Sequence, residues 1–191
     1  MRFDRSLADA LHTYASEASG LTDFFRVVGL PGSLEALALV GVLVAVALLV
    51  RRSWLALTAW LVAVLGGEAL NLLLKDLFAR PRPSFEHPLV VDTSYSFPSG
   101  QAMESVVVYG ILAYFVVLTS RAWGKRAVSV GGAAIVVLLI AFSRVYLGAH
   151  YVSDVVGGFA AGGAWLSAVI TAWEAMCSRD MANQRGQASS P

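Results

Sequence analysis

Two stretches of this chain concentrate side chains that handle negative charge. The first opens K-D-L-F-A-R-P-R-P over 75–83. Lys75 and Arg82 lie seven positions apart, close to two helical turns, so one helix face carries both. Pro81 and Pro83 end that helix and stiffen its exit. The same stretch closes with F-P-S-G-Q over 97–101. Ser99 is placed to cap the apolar helix that follows, and Gly100 lets the backbone approach a ligand closely. A helix start with free N–H groups is a natural phosphate site. The second stretch reads S-R-V-Y-L-G-A-H-Y-V-S-D over 143–154. His150 and Asp154 are four apart, which on a helix means one face. A carboxylate beside an imidazole holds its tautomer and raises its basicity, the orienting half of a catalytic dyad. Arg144 adds a third cation, and arginine binds phosphate oxygens in pairs. Each piece alone has an ordinary reading: a structural His–Asp hydrogen bond, or arginines snorkelling at a membrane edge. Their joint occurrence in two loops on one side of the chain favours an anion cradle with a nucleophile beside it.

The elements that must hold these loops are membrane spans. Hydrophobic residues make up 57% of the 191 residues and charged residues 14%, against the ~25% usual for soluble domains. That excludes a disordered chain and most soluble folds, and a net charge of +1 gives no basic patch for nucleic acid. The single cysteine, Cys177, excludes an intrachain disulfide framework and a Cys-rich metal site. A spanning helix needs about 20 mainly apolar residues. Five stretches qualify: 34–50, 54–74, 102–119, 127–142 and 154–173. Each is apolar all round, as suits lipid or a bundle core. Glu68, Asn71 and Glu104 interrupt these runs and Asp154 opens the last. Charges at membrane depth are costly, so each is a functional candidate.

The first 32 residues differ. Phe3, Leu7, Leu11 and Tyr14 recur at helical spacing among Asp4, Asp9, His12 and Glu17, an amphipathic pattern suited to the interface rather than to a signal peptide. Leu30-Pro31-Gly32 breaks the chain before the first span; a sixth span through 21–30 is the lesser alternative. Arg51 and Arg52, then Arg121, Lys125 and Arg126, then Arg179 and Arg185 all fall on one side, which the positive-inside rule makes cytoplasmic. The loops 75–100 and 143–153 then face outward, and the basic residues they carry against that rule imply a task there. Gly158 and Gly162 form a small-xxx-small pair for close helix packing. Residues 175–191 read as a disordered tail. The expected organisation is an interfacial segment over 1–32, an all-α transmembrane bundle over 33–174, and the tail.

The sequence resembles the type 2 phosphatidic acid phosphatase superfamily, which includes membrane lipid phosphate phosphatases and soluble vanadium haloperoxidases. Three motifs in order carry the resemblance. Lys, six residues, Arg-Pro selects Lys75, Arg82 and Pro83 rather than Arg80. Pro-Ser-Gly-His corresponds to Pro98, Ser99, Gly100 and Gln101. Ser-Arg, five residues, His, three residues, Asp corresponds to Ser143, Arg144, His150 and Asp154. The resemblance implies that Lys75, Arg82 and Arg144 bind phosphate oxygens, that Ser99 and the Gly100 N–H complete the cradle, that His150 attacks phosphorus, and that Asp154 orients His150. It implies no metal or other cofactor.

Gln101 departs from the pattern, which has a general-acid histidine there. Glutamine donates a hydrogen bond but delivers no proton at ordinary pH. Either the residue is a deliberately introduced inactivating substitution, the reading favoured by the other intact motif residues, or it marks a natural variant with altered or lost catalysis. Glu68 and Glu104 are open in the same way. Glu68 faces polar partners and Glu104 caps its helix, or one of them borders the head-group site. The expected function is a metal-independent lipid phosphate phosphatase acting on a phosphomonoester or diphosphate through a phosphohistidine, impaired by Gln101. Its expected setting is a multi-pass place in a bacterial inner membrane, with the site on the outer face. Its expected partners are the lipid phosphate and the membrane, with no nucleic acid and no readable protein partner. The alternatives are an inactive lipid-phosphate-binding protein and, more weakly, a transporter.

Overall fold

The structure is a computed structural model that describes residues 2–188, with side chains over 3–179. It is all-helical among the described residues: α1 (Arg2–Glu17), α2 (Ser19–Gly29), α3 (Leu34–Val50), α4 (Trp54–Phe78), α5 (Gly100–Thr119), α6 (Trp123–Tyr146) and α7 (Val152–Ala188). A single 3-10 turn, Leu30–Gly32, joins α2 to α3, so Pro31 redirects the chain where the sequence places the break. Ser33 then caps α3, its hydroxyl accepting from the Ala36 N–H at 3.2 Å. Among the described residues, five helical stretches are long and apolar enough to cross a membrane: Ser19–Val50, Trp54–Phe78, Gly100–Thr119, Trp123–Tyr146 and Val152–Arg179. The first of these stretches runs from α2 through the Leu30–Gly32 turn into α3, so the region 21–30 is grouped with the first span rather than standing as a sixth.

The centre of the bundle is α5, which packs against α4, α6 and α7, and α3 lies against both α4 and α5. An apolar core of Leu37, Trp60, Ala63, Val107, Val108, Ile111 and Val169 fills one half. Two indole N–H groups tie helices across it: Trp60 donates to the Gly41 carbonyl at 3.0 Å and Trp165 to the Ala63 carbonyl at 2.9 Å. Leucines and valines such as Leu39, Leu43, Val46, Leu65, Leu73 and Leu138 point outward and exposed, as side chains facing lipid do.

The α5–α7 contact depends on glycine. A Cβ on Gly158 would stand 2.8 Å from the Ser99 carbonyl, and one on Gly162 would stand 2.7 Å from that of Met103. The small-xxx-small pair therefore seats α7 directly on the start of α5. One expectation is corrected: α7 continues as helix past 175 to Ala188, because Glu174, Ala175, Met176 and Met181 are good helix formers and no proline interrupts them; residues 189–191 lie outside the described residues. Helix α1 packs on the body through Leu11 and through small or polar residues. Asp4, Ala8 and Ala15 are buried against the body, while Phe3 and Tyr14 are exposed.

Candidate active site

Helix α4 delivers Lys75 in its last turn and stops at Phe78, where Ala79 adopts the left-handed conformation (φ 43°) and donates its N–H to the Lys75 carbonyl at 2.8 Å. Arg82 is therefore not on the helix face expected from its seven-residue spacing. Pro81 cannot continue a helix, so Arg82 reaches the same place from the extended chain beyond. There its guanidinium is packed with acceptors. Nε donates to the Ser94 carbonyl at 2.8 Å and Nη1 to the Ala149 carbonyl at 2.7 Å. Nη2 donates to Ser94 Oγ at 2.9 Å and pairs with Asp92 Oδ2 at 2.8 Å. Asp92 titrates below the usual carboxylate range; burial alone would raise it, but the Ser94 N–H and the Arg82 charge outweigh that. Lys75 Nζ donates to the Tyr95 carbonyl at 2.6 Å and to Ser94 Oγ at 3.2 Å.

Helix α6 supplies Arg144 from its final turn, beside Gly29, where a Cβ would collide with the guanidinium. Among the described residues neither Lys75 nor Arg144 is paired with a carboxylate. Ser99 stands at the N-cap of α5 but makes no capping bond; its hydroxyl is buried without a protein partner. Its backbone N–H instead donates to the Asp154 carbonyl at 3.0 Å. Gly100 is required by a neighbouring side chain, since a Cβ there would lie 2.8 Å from Asn71 Nδ2.

His150 precedes α7, and Asp154 lies in its first turn, so the pair spans a loop–helix junction instead of one helix face. His150 is 3% exposed. Its Nδ1 lies 2.8 Å from the Ser96 carbonyl and donates to it, which leaves the Nε2 lone pair for Arg82 Nη1 at 3.0 Å. Asp154 Oδ2 is 3.7 Å from Nδ1, beyond a hydrogen bond. The carboxylate spends its lone pairs on the Tyr151 N–H at 2.9 Å, on the Ser96 hydroxyl and, through Oδ1, on Arg80 Nη1 at 2.7 Å. Burial pushes the His150 imidazole below its ordinary value. Asp154 opposes that and the Arg82 charge reinforces it, so the ring is neutral at pH 7.

A cavity of ≈ 180 Å³ gathers these groups. Lys75, Arg82, Arg144, His150, Gly100 and Gln101 line it, with Glu68, Asn71 and Glu104 deeper. Arg80 is outside it, on the far side of Asp154. Glu104 does not cap: it lies past the first turn of α5, and its Oε1 is buried without a partner, 3.2 Å from where a Gly67 Cβ would be. The Gln101 side-chain carbonyl is likewise buried without a partner. The cavity adjoins an apolar groove of ≈ 290 Å³ along α3 and α4, with Leu34, Leu37, Glu68 and Glu104 common to both. The motif reading did not single out Asp4, Asn71, Asp92, Ser94, Ser96, Tyr151 or Ser153. Two of these carried a sequence signal: Asn71, a polar residue inside an apolar run, and Asp4, an acid on the same face of the amphipathic pattern as Ala8 and Ala15.

The chain is similar to known proteins in sequence and in fold. Residues 55–176 match the PAP2 superfamily. Over 115 residues the chain is 43% identical to phosphatidylglycerophosphatase B of Bacillus subtilis, covering 59% of this chain and 55% of that protein. Over 110 residues it is 34% identical to lipid phosphate phosphatase delta of Arabidopsis thaliana, covering 49% of this chain and 26% of that one. The matched part thus spans about half of the first relative and a quarter of the second. Among solved structures, a transmembrane PAP2-type phosphatidylglycerolphosphate phosphatase from Bacillus subtilis superposes with a TM-score of 0.81 at 30% identity, over 91% of this chain and 85% of that one. LpxE of Aquifex aeolicus shares the fold, with a TM-score of 0.60 at 22% identity over 89% and 93% of the two chains.

Proposed function

We infer that this chain, which belongs to the PAP2 superfamily and is a multi-pass membrane protein, is a lipid phosphate phosphatase. The observation that carries the reading is one cavity holding two cations without carboxylate partners, a third cation on a neutral buried imidazole, and a lipid-facing apolar groove at its edge. A phosphate group there meets Lys75, Arg82 and Arg144, with the Ser99 hydroxyl and the first N–H groups of α5 beside them. A lipid chain follows the groove. The positive-inside argument from the basic turns supports an outer-leaflet site.

The proposed chemistry uses these groups in order. Arg82 Nη1 moves from His150 Nε2 to a phosphate oxygen, which frees the lone pair. Nε2 attacks phosphorus, the bond to the lipid oxygen breaks, and the pair of electrons leaves on that oxygen, which takes a proton from water. The Nδ1–H bond to the Ser96 carbonyl stabilises the charge that builds on the ring. Water then attacks the phosphohistidine, the N–P bond breaks, and phosphate departs. The cations neutralise the equatorial oxygens throughout. Gln101 lines the cavity but cannot supply the leaving-group proton, which supports the second reading, a protein that binds lipid phosphate and turns it over slowly or not at all.

Phosphatidylglycerophosphate is the first substrate to test, because the relative with 43% identity is a phosphatidylglycerophosphatase. Phosphate release should be measured for the Gln101 protein and for Gln101→His side by side. Release by Gln101→His, at a rate well above that of Gln101, is expected. No release by either would reject the phosphatase reading.

A further inference from the structure

Behind the catalytic carboxylate lies a second group of buried charges that the chemistry above does not use. Asp154 is fully buried, and its Oδ1 is held by Arg80 Nη1. The same guanidinium lies over the Tyr151 ring, 4.4 Å from its centroid, and its Nη2 meets Asp4 Oδ2 at 3.0 Å. Asp4 comes from α1, more than seventy residues away in sequence, and is 9% exposed. It also accepts from the Ser153 hydroxyl at 2.6 Å and from the Ser153 N–H at 3.3 Å, so it grips the start of α7 next to Asp154. Arg80 touches the nucleophile's support by a second route. Its carbonyl accepts the Ser96 N–H at 2.8 Å, and the Ser96 carbonyl is what holds His150 Nδ1.

We infer that Arg80, anchored by Asp4, is a positioning residue for Asp154 and Ser96 and through them for His150, which makes the amphipathic helix α1 part of the catalytic apparatus. The inference rests on the phosphatase reading. A buried triad of acid, base and acid is expensive to desolvate, and apolar side chains of the same volume would hold α1 at least as well. What apolar packing could not do is neutralise Asp154. With Arg80 in place, the carboxylate's charge is balanced from behind, and the imidazole keeps a single proton on Nδ1. Without it, an unbalanced carboxylate 3.7 Å away would draw a second proton onto the ring and close the Nε2 lone pair. The charged groups facing His150 are Asp154 from α7, Arg82 and Asp92 from the loop after α4, and across the cavity Lys75 and Glu68 of α4, Glu104 of α5 and Arg144 of α6. Of these only Asp154 is bonded to Arg80. The outward Phe3 and Tyr14 give α1 a hold on the bilayer surface while Asp4 faces inward.

The test uses full-length Gln101→His protein in detergent with phosphatidylglycerophosphate. Added to it, Arg80→Gln should lower kcat about tenfold to a hundredfold, the usual effect of losing an outer hydrogen-bond partner. KM should hardly change, and the acid limb of the kcat profile should move to higher pH. Arg80→Lys keeps the charge and should restore the limb. Asp4→Asn should give a smaller loss of kcat, and on top of Arg80→Gln it should add nothing, because the two act in series. Folded Arg80→Gln protein with parental kcat and an unmoved acid limb would overturn the inference, as would variants that lose thermal stability alone. If Arg80→Gln does not fold, Asp4→Asn decides, and full kcat in that variant overturns it. No turnover by Gln101→His itself would sink the phosphatase reading and this inference together. A working Gln101→His protein indifferent to both residues sinks only the inference.

Discussion

The two ends of the bundle are built from different materials. Toward the turns at 51–53 and 120–122, α3, α4, α5 and α7 meet through Val44, Leu48, Trp60, Ile111 and Val169, with scarcely a polar atom between them. Toward the loops 79–99 and 147–151, α4, α5, α6 and α7 bury Asn71, Lys75, Ser99, Glu104, Ser105, Ser143 and Asp154 at or near their ends. In hydrocarbon, polar side chains are placed at a loss unless each finds a partner or a purpose. The apolar end supplies a rigid frame, and the polar end spends that rigidity on holding charges near one another. The contrast says where substitutions should destroy chemistry and where they should only loosen the frame.

The sharpest break belongs to the nucleophile. In Gln101→His protein, His150→Ala should lower turnover about 10³-fold or more while the helical circular dichroism stays unchanged. Appreciable residual turnover would remove His150 from the reaction. Replacing Lys75 or Arg144 with alanine should cost about 10²–10³-fold, as for other donors aimed at developing charge.

The next effect sharpens the comparison within the polar end. A general acid is worth about 10²–10⁴ in rate. Gln101→His should therefore raise turnover strongly on a lipid phosphomonoester, whose leaving alkoxide is a strong base. The gain should be smaller on an isoprenyl diphosphate, whose leaving phosphate is a weak one. Equal gains on both would show that residue 101 does not protonate the leaving group.

A subtler test is the pH profile. Burial and the Arg82 charge hold the His150 pKa below its ordinary 6.5. Activity that depends on the neutral ring should be complete at pH 7 and should fall only as pH drops through that lowered value. An acid limb in kcat/KM above 6.5 would contradict the geometry around Nε2. The smallest effects belong to the frame. Gly158→Ala forces a methyl within 2.8 Å of the Ser99 carbonyl and should cost about 1–3 kcal/mol in thermal unfolding, with activity falling as α5 shifts. At Gly131, where nothing lies within 4 Å, alanine should instead stabilise α6 by about 0.5–1 kcal/mol and leave activity alone.

Much of the frame was legible in the sequence because lipid allows few solutions. Runs of about 20 apolar residues with few charges had to be spans, and the break at Leu30-Pro31-Gly32 is where the chain turns. The grouping of Lys75, Arg82, Arg144 and His150 was legible from motif register, including the choice of Arg82 over Arg80. Other details were not, because they depend on contacts far apart in sequence. Spacing could not tell that Arg82 leaves the helix after Ala79, or that Ser96, not Asp154, holds His150 Nδ1. Nor could it find Asp4, whose partner Arg80 is 76 residues away. The amphipathic pattern of α1 marked an interfacial helix but not which of its residues pack on the protein: Phe3 and Tyr14 are exposed, while Asp4, Ala8 and Ala15 are buried.

The most direct test of the central claim is to trap the phosphorylated protein. Gln101→His protein turning over phosphatidylglycerophosphate should be quenched in alkali, where phosphohistidine survives, and its peptides analysed by mass spectrometry. The account predicts a phosphoryl group on the peptide that carries His150, appearing with substrate and absent from the His150→Ala variant. Turnover with no phosphoryl group on that peptide, or with the group on another residue, would contradict it.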